Sequence, residues 1–200
     1  MQQFKVPVAG NRRRFAKAGL LETRSLEEIA TLLPAGHYST ITELGAGTCS
    51  LAPHFFTGKA PTHYRCFDSE PALLKKFRAP AEAKPEQITL SAFEPASGIS
   101  IPDSSQDLLL TPHFLEYLRM DELYMTCHEA RRVAKPGGLW AIATLTLPEN
   151  IVYGLWQKLR HPGQALDIIH YISPEDWRTR QERKFRVNGL AGQVVLLERL

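Results

Sequence analysis

Cysteine is scarce in this sequence, which has three in 200 residues: Cys49, Cys66 and Cys127. Their number is odd and no two of them have the C-x-x-C spacing, so the sequence predicts neither a disulfide framework nor a zinc site. The seven histidines show no spacing typical of metal ligands. We therefore expect reduced, structural thiols in a cytoplasmic protein that holds no metal.

Long hydrophobic runs and a strong charge of one sign are also lacking. No apolar stretch approaches the ~18 residues of a membrane span, and the first residues lack the apolar core of a secretory signal. The net charge of +3 is too small to predict nucleic-acid binding. We interpret the one dense basic run, residues 12–14, as the solvated face of an N-terminal helix, with contact to an anionic substrate or partner as the alternative.

The sequence does contain enough apolar residues for a globular core, at 44% of the chain. Helix and strand signals alternate along it, which predicts a parallel sheet covered by helices within a single domain, residues 1–200. Its N-terminal helical segment is residues 1–36. Ser25 followed by Glu28 has the spacing of a capping box, so we expect the first clear helix to begin there.

Five strands and a closing hairpin are predicted. The turn signals between Phe185 and Leu197 indicate an antiparallel pair with a five-residue turn, residues 188–192. Ser173 followed by Pro174 is typical of a helix start, so we expect a helix before that hairpin. The predicted strands are residues 40–44, 64–67, 87–90, 108–110 and 139–147.

The strongest local signal is a glycine-rich turn between the first strand and the next helix, with Glu43, Gly45, Ala46 and Gly47. Glycines permit a tight turn and let ligand atoms approach the backbone, and open α/β sheets bind ligands at this end of their strands. A dinucleotide site is one interpretation, although Ser50 stands where the last glycine of that pattern belongs. A purely structural turn is another.

A second signal is Asp68, which follows the predicted second strand. A carboxylate there can accept hydrogen bonds from both hydroxyls of a ribose. Capping the helix that begins at Pro71 is the alternative, and Ser69 could do that instead.

Taken in order, these segments resemble the class I S-adenosylmethionine-dependent methyltransferases, specifically their small-molecule branch. The glycine turn is similar to the first motif of that family, and Asp68 to its acidic residue after the second strand. Residues 107–111 resemble its fourth strand, and residues 131–138 (R-R-V-A-K-P-G-G) the turn before its fifth. The fold implied is a Rossmann-like, doubly wound, mostly parallel sheet with a C-terminal antiparallel hairpin.

The resemblance implies S-adenosylmethionine as cofactor and assigns residues to each of its parts. Cys49 departs from the pattern, because a third glycine is common at that position, and residues 91–94 lack the acid–alanine pair common there. The implied cofactor residues are Glu43, Gly45, Ala46 and Gly47 at the methionine end, Asp68 and Ser69 at the ribose, Ala92 and Phe93 at the adenine, and Thr111 beside the sulfonium.

The acceptor is expected under residues 148–173, a long apolar and aromatic connection that, with the N-terminal helix, forms the substrate lid in similar methyltransferases. Residues 15–18 and 170–173 resemble segments of malonyl-carrier-protein and quinone-biosynthesis methyltransferases. These features predict a small, apolar or amphipathic acceptor, free or bound to a carrier. His113, Glu116, His170 and Tyr171 are candidates for a general base, and none is assigned as catalytic. The alternative for His113 is a residue at a helix start with no catalytic part, and for His170 and Tyr171 it is packing beside the last helix.

Two other functions remain open from the sequence. One is a non-catalytic module that binds S-adenosylmethionine and regulates a partner, because no general base is obvious. The other is a nicotinamide-dependent enzyme, whose glycine fingerprint would open the first strand of the chain. Here a helix precedes that strand, and Ser50 breaks the fingerprint.

Overall fold

The computed structural model describes residues 18–57, 59–146 and 167–200. The basic run at residues 12–14, residues 15–17 and residues 148–166 of the predicted lid lie outside the described residues. All three cysteines are free thiols. None of the helices in the described part of the chain has the length and hydropathy needed to cross a membrane.

Seven strands form one sheet, and its topology confirms the predicted fold class. The strand order is β3-β2-β1-β4-β5-β7-β6, with β1 to β5 parallel and β7 antiparallel to both β5 and β6. The strands are β1 (Thr40–Leu44), β2 (His63–Asp68), β3 (Ile88–Ala92), β4 (Gln106–Pro112), β5 (Ala134–Leu145), β6 (Trp177–Val187) and β7 (Leu190–Arg199).

The chain reverses its direction of travel across the sheet between β1 and β4. From β1 it moves outward through β2 to β3, then returns to place β4 on the other side of β1. The loops after β1 and β4 therefore diverge and leave a crevice at the carboxyl ends of these two strands, where open α/β sheets bind ligands.

The first helix, α1 (Ala18–Leu32), begins well before Ser25, so the predicted capping box is wrong. Ser25 lies inside the helix, and its hydroxyl donates to the Leu21 carbonyl at 2.9 Å. Leu21 packs against Leu145 and Leu190. This long-range apolar contact extends the helix toward its N-terminus, whereas the local spacing of Ser25 and Glu28 indicated a start there.

The remaining α-helices of the described residues are α2 (Ala52–Phe55), α3 (Pro71–Leu74) and α4 (Met120–Val133). Alternate residues of the apolar strand β4 bury on opposite faces of the sheet: Leu108 packs on the α1 side and Leu109 on the α4 side. This burial on both faces is why β4 is apolar almost without interruption. The strand's carboxyl end is thereby held rigidly between two cores.

The C-terminal hairpin is confirmed, but its turn has two residues instead of five. Asn188 and Gly189 have φ of +49° and +82°, the left-handed pair favoured in two-residue hairpins. Val187 pairs directly with Leu190. The helix predicted after Ser173 is wrong, because residues 174–176 form a turn that leads into β6.

Candidate functional site

A cavity of about 200 Å³ lies at the carboxyl ends of β1 and β4, beneath α1. Its lining comes from four regions of the chain. These are Gly19, Leu21, Glu22 and Leu26 of α1; Glu43, Gly45, Ala46, Gly47 and Ser50 around the glycine turn; Pro112, His113, Glu116 and Tyr117 after β4; and Leu145 and Leu190 at the ends of β5 and β7.

The glycine turn forms one wall of this cavity because its backbone is left-handed. Gly45 and Gly47 have φ of +65° and +57°, a conformation that glycine adopts without a steric penalty. At Gly45 a Cβ atom would collide with the ring of Phe114. A side chain there is excluded both by the backbone conformation and by the neighbouring loop.

Cys49 adopts the same left-handed region, with φ of +54°. This explains why a third glycine suits the position, since only glycine enters that region at no cost. The Cys49 thiol is buried next to Cys66, and hydrogen bonding between the two thiols, together with burial, raises the pKa of Cys66. The sulfur atoms of Cys49 and Cys66 and a carboxyl oxygen of Glu43 lie within 4.8 Å of one another. The raised pKa values of Glu43 and Cys66 keep both groups protonated near neutral pH.

Glu43 is buried at the end of β1 and accepts a hydrogen bond of 2.6 Å from the Tyr64 hydroxyl. Burial raises the pKa of Glu43 to about 8, the Tyr64 hydrogen bond opposes that rise, and the charges of Asp68 and Glu22 add to it. A nearby positive charge would offset the burial and restore the ionised form. The site is therefore suited to a ligand that carries a cation.

The charged side chains that line the cavity also favour a ligand that carries a cation. Glu22 and Glu116 line the cavity, Glu43 adds a negative charge when a bound cation restores its ionised form, and none of the described lining residues is a lysine or an arginine. Like charges on the walls of a cleft focus the field and favour an oppositely charged ligand.

Asp68 connects the glycine turn to the end of β2. Its carboxylate is buried and accepts from the Gly47 amide at 2.7 Å and from the Glu70 amide at 2.8 Å. These two contacts orient the Asp68 carboxylate toward the glycine turn. Ser69 follows and is half-buried.

Ala92 and Phe93 lie at the neighbouring strand end. Ala92 pairs with Asp68 across β2 and β3, and the Phe93 amide donates to the Asp68 carbonyl. The Phe93 ring packs between Phe67 and Phe114, with centroid distances of 5.8 and 5.9 Å. Both residues lie beside the glycine turn but outside the cavity lining.

Thr111 points into the core. It is fully buried, and its hydroxyl accepts from the Trp140 indole at 3.1 Å. The residues that follow it, Pro112 and His113, reach the cavity instead.

His113 and Glu116 are brought to the cavity and contact each other, at 2.8 Å between Nδ1 and Oε1. Their i, i+3 spacing was visible in the sequence. Ser25 contacts the other ring nitrogen of His113 at 2.7 Å, a pairing across 88 residues that no local pattern signals. His170 and Tyr171 are exposed and lie outside the described lining.

Several solved structures share the fold. One is a methyltransferase solved in complex with the Haloferax volcanii Trm112 methyltransferase activator, at 14% identity and a TM-score of 0.70 over 92% of this chain and 91% of that one. An S-adenosylmethionine-dependent methyltransferase from Methanosarcina mazei is 15% identical with a TM-score of 0.69, covering 86% and 97%. The [4+2]-cyclase SpnF is 10% identical with a TM-score of 0.67, covering 88% and 80%.

No curated protein matches the sequence. Residues 42–142, however, match a family described as methyltransferase domain. This region runs from β1 through the glycine turn and Asp68 to β5, and it makes up more than half of the chain. The chain therefore belongs to the methyltransferase-domain family, whose implied cofactor is S-adenosylmethionine.

Proposed function

We propose that this protein transfers a methyl group from S-adenosylmethionine to a small, apolar or amphipathic acceptor, either free or bound to a carrier. The observation that carries the proposal is the cavity at the switch point of the sheet, with a bare glycine backbone as one wall and with acidic residues but no lysine or arginine among its described lining. A sulfonium and an ammonium group are the cations that such a lining would favour.

The residues present fit this cofactor. Glu43, Gly45, Ala46 and Gly47 would hold the methionine end, where the raised pKa of Glu43 reflects a carboxyl with no cationic partner among the described residues. Asp68 and Ser69 would hold the ribose. Ala92 and Phe93 would lie against the adenine, and the backbone at Thr111 would lie near the sulfonium.

When bound, S-adenosylmethionine supplies an activated methyl group, so the protein itself needs to supply little covalent chemistry. Its own residues bind and orient the two reactants and exclude water. Alignment of this kind contributes up to about 7–11 kcal/mol in well-oriented systems.

The acceptor class is supported by the apolar part of the lining. Leu21 and Leu26 of α1 face the same cavity as Leu145 and Leu190. Burying apolar surface against such side chains stabilises binding by about 25 cal/mol per Å². The carboxylates in the same cavity favour an acceptor that also has a polar end.

A non-catalytic S-adenosylmethionine-binding module is the second candidate. It is favoured by the engagement of Asp68 with two backbone amides, which gives this carboxylate a structural task of its own. The cyclase SpnF shares the fold but has a different activity, so the fold alone does not determine the chemistry.

Two measurements on the purified protein test the proposal. Calorimetry with S-adenosylhomocysteine, the demethylated product, should show binding, whereas NAD should not bind. Incubation with S-adenosylmethionine labelled in its methyl group and a metabolite extract should yield a labelled small molecule. Binding without any transfer would favour the regulatory module, and binding of NAD alone would reject both.

A further inference from the structure

A chain of three polar side chains links α1 to the loop after β4. Ser25 Oγ lies 2.7 Å from His113 Nε2, and His113 Nδ1 lies 2.8 Å from Glu116 Oε1. Ser25 and Glu116 are fully buried, whereas the His113 side chain is 14% exposed. Such a chain fixes the orientation of the imidazole ring at both nitrogens.

The second oxygen of Glu116 is the anomaly in this chain. Oε2 is buried and has no hydrogen-bond partner among the described residues. A buried polar atom without a partner costs about 1–3 kcal/mol, and more when it is charged. Glu116 lines the cavity, so a donor group on a ligand bound there would satisfy this oxygen once it reaches the covered Oε2 atom.

The backbone around the chain is strained in a way that holds it in place. His113 has φ of +51°, which is uncommon for a residue other than glycine and typically costs about 1–3 kcal/mol. Its amide donates to the Ala143 carbonyl at 2.8 Å, and this bond holds the residue against β5. Strain of this kind persists where the surrounding structure requires one particular side-chain position.

We infer that Glu116 is the general base for the acceptor, with His113 and Ser25 as positioning residues; this rests on the proposed function. The acceptor is then a group that loses a proton on methylation, either a hydroxyl or an acidic carbon. The proton passes to Glu116 Oε2. The electron pair that it leaves on oxygen or carbon forms the bond to the methyl carbon, and the electrons of the carbon–sulfur bond stay on sulfur as a neutral thioether.

His113 holds the Glu116 carboxyl group in position for this step. When Nδ1–H donates to Oε1, Oε2 is left to accept a hydrogen bond. The Ser25 hydroxyl has two acceptors within reach, Nε2 and the Leu21 carbonyl. It can therefore donate to a neutral ring or accept from a protonated one.

A serine, a histidine and an acid at these distances also resemble an acyl-transfer triad. Ser25 is unsuited to be its nucleophile, because it is fully buried in the middle of a helix and is not among the described residues that line the cavity. The geometry favours a base and its supports.

The test compares the wild type with Glu116→Gln, His113→Asn and Ser25→Ala. Thr126→Val is the matched control, because Thr126 is likewise buried with an unpartnered oxygen but lies on α4, away from the cavity. For each protein we would measure affinity for S-adenosylhomocysteine by calorimetry. We would also follow the pH profile of methyl transfer from labelled S-adenosylmethionine into a metabolite extract, and identify the labelled atom.

We expect Glu116→Gln to lower transfer by about 10²- to 10⁴-fold, the range for loss of a general base, with affinity for S-adenosylhomocysteine within about threefold of wild type. The increase in rate with pH should disappear in Glu116→Gln. In His113→Asn and Ser25→Ala it should shift, with Ser25→Thr restoring the profile. Thr126→Val should behave as wild type, and the labelled atom should be oxygen or carbon.

Transfer by Glu116→Gln at the wild-type rate and pH profile would overturn this inference and leave the proposed function intact. A product methylated at a tertiary amine or a thioether, which lose no proton, would do the same. If the wild type binds no S-adenosylhomocysteine and transfers no label, the proposed function is wrong, and the inference, which rests on it, is wrong as well.

Discussion

The Gly47 amide donates to Asp68 Oδ2 at 2.7 Å, which ties the glycine turn after β1 to the end of β2. The proposed ribose-binding acid is therefore also the group that holds the proposed methionine-binding turn in position. A change at either residue is expected to affect both parts of the site.

For Asp68→Ala we expect the affinity for S-adenosylhomocysteine to fall by about 1.5–3 kcal/mol, because a charge-assisted hydrogen bond of that size is lost. Calorimetry on the folded variant measures this. Asp121→Ala removes an exposed acid that pairs with Arg119 and accepts from the Glu122 backbone amide near the start of α4; it is the control and should bind as wild type. Unchanged affinity in Asp68→Ala would remove Asp68 from the site.

Gly45→Ala should destabilise the fold, and Gly137→Ala is its matched control. Both glycines have positive φ, +65° and +74°, but a Cβ would collide with Phe114 only at Gly45, while Gly137 has open space around it. We expect about 1–2 kcal/mol of lost stability at Gly137 from the backbone alone, and clearly more at Gly45. Urea unfolding measures both, and equal losses would refute the role of Phe114.

Replacing Thr111 by valine should destabilise the protein by about 1–3 kcal/mol, because the buried Trp140 indole loses its acceptor. Thr111→Ser keeps the hydroxyl and should lose less stability. Chemical denaturation monitored by tryptophan fluorescence distinguishes them. A valine variant as stable as the serine variant would mean that this hydrogen bond contributes nothing.

The pH dependence of stability should contain a contribution from Glu43. Its pKa is about 8 in the folded protein against 4.5 for the free group, so the folded state binds more protons than the unfolded chain between these values. Stability from this group is therefore present at low pH and declines as pH rises from about 4.5 to 8. Thermal unfolding of Glu43→Gln over that range should decline less steeply than that of wild type. Parallel curves would contradict the assignment.

Helix α1 is held on the sheet partly by Arg183 of β6, which contacts the buried Glu28 carboxylate at 2.7 Å. Arg183→Met should cost about 1.5–3 kcal/mol, because a hydrogen bond to a buried charge is lost. Arg180→Met, also in β6, removes a surface pair with Glu198 of β7, and it should change stability little because such pairs are well solvated. Hydrogen exchange in α1 should accelerate in the first variant only.

Much of the fold was predictable because its signals are local. The strand that ends at Glu43, the left-handed turn at Gly45 and Gly47, and the acid at residue 68 lie close together along the chain, and each has a backbone reason for its position. The two-residue turn at Asn188 was missed because residues 190–192, which appeared to be turn, join β7.

The start of α1 and the contact between α1 and the loop after β4 were not predictable in the same way. Ser25 was interpreted as a helix cap from its four-residue context, yet Leu21 is buried against Leu145 and Leu190, and that contact extends the helix past it. The pairing of Ser25 with His113 depends on how α1 packs across the sheet, which no spacing within either segment specifies.

By itself, the sequence determined the order of the strands and the glycine turn with its acidic neighbours, because both follow from short-range backbone preferences and alternating burial. It also indicated the family, through the resemblance of its motifs to known methyltransferases. Only the tertiary structure decided that α1 covers the cavity, that Thr111 faces the core, and that Glu116 meets His113 and Ser25. Those relations arise from packing between residues far apart in the chain, where the free energy of burial outweighs local preference.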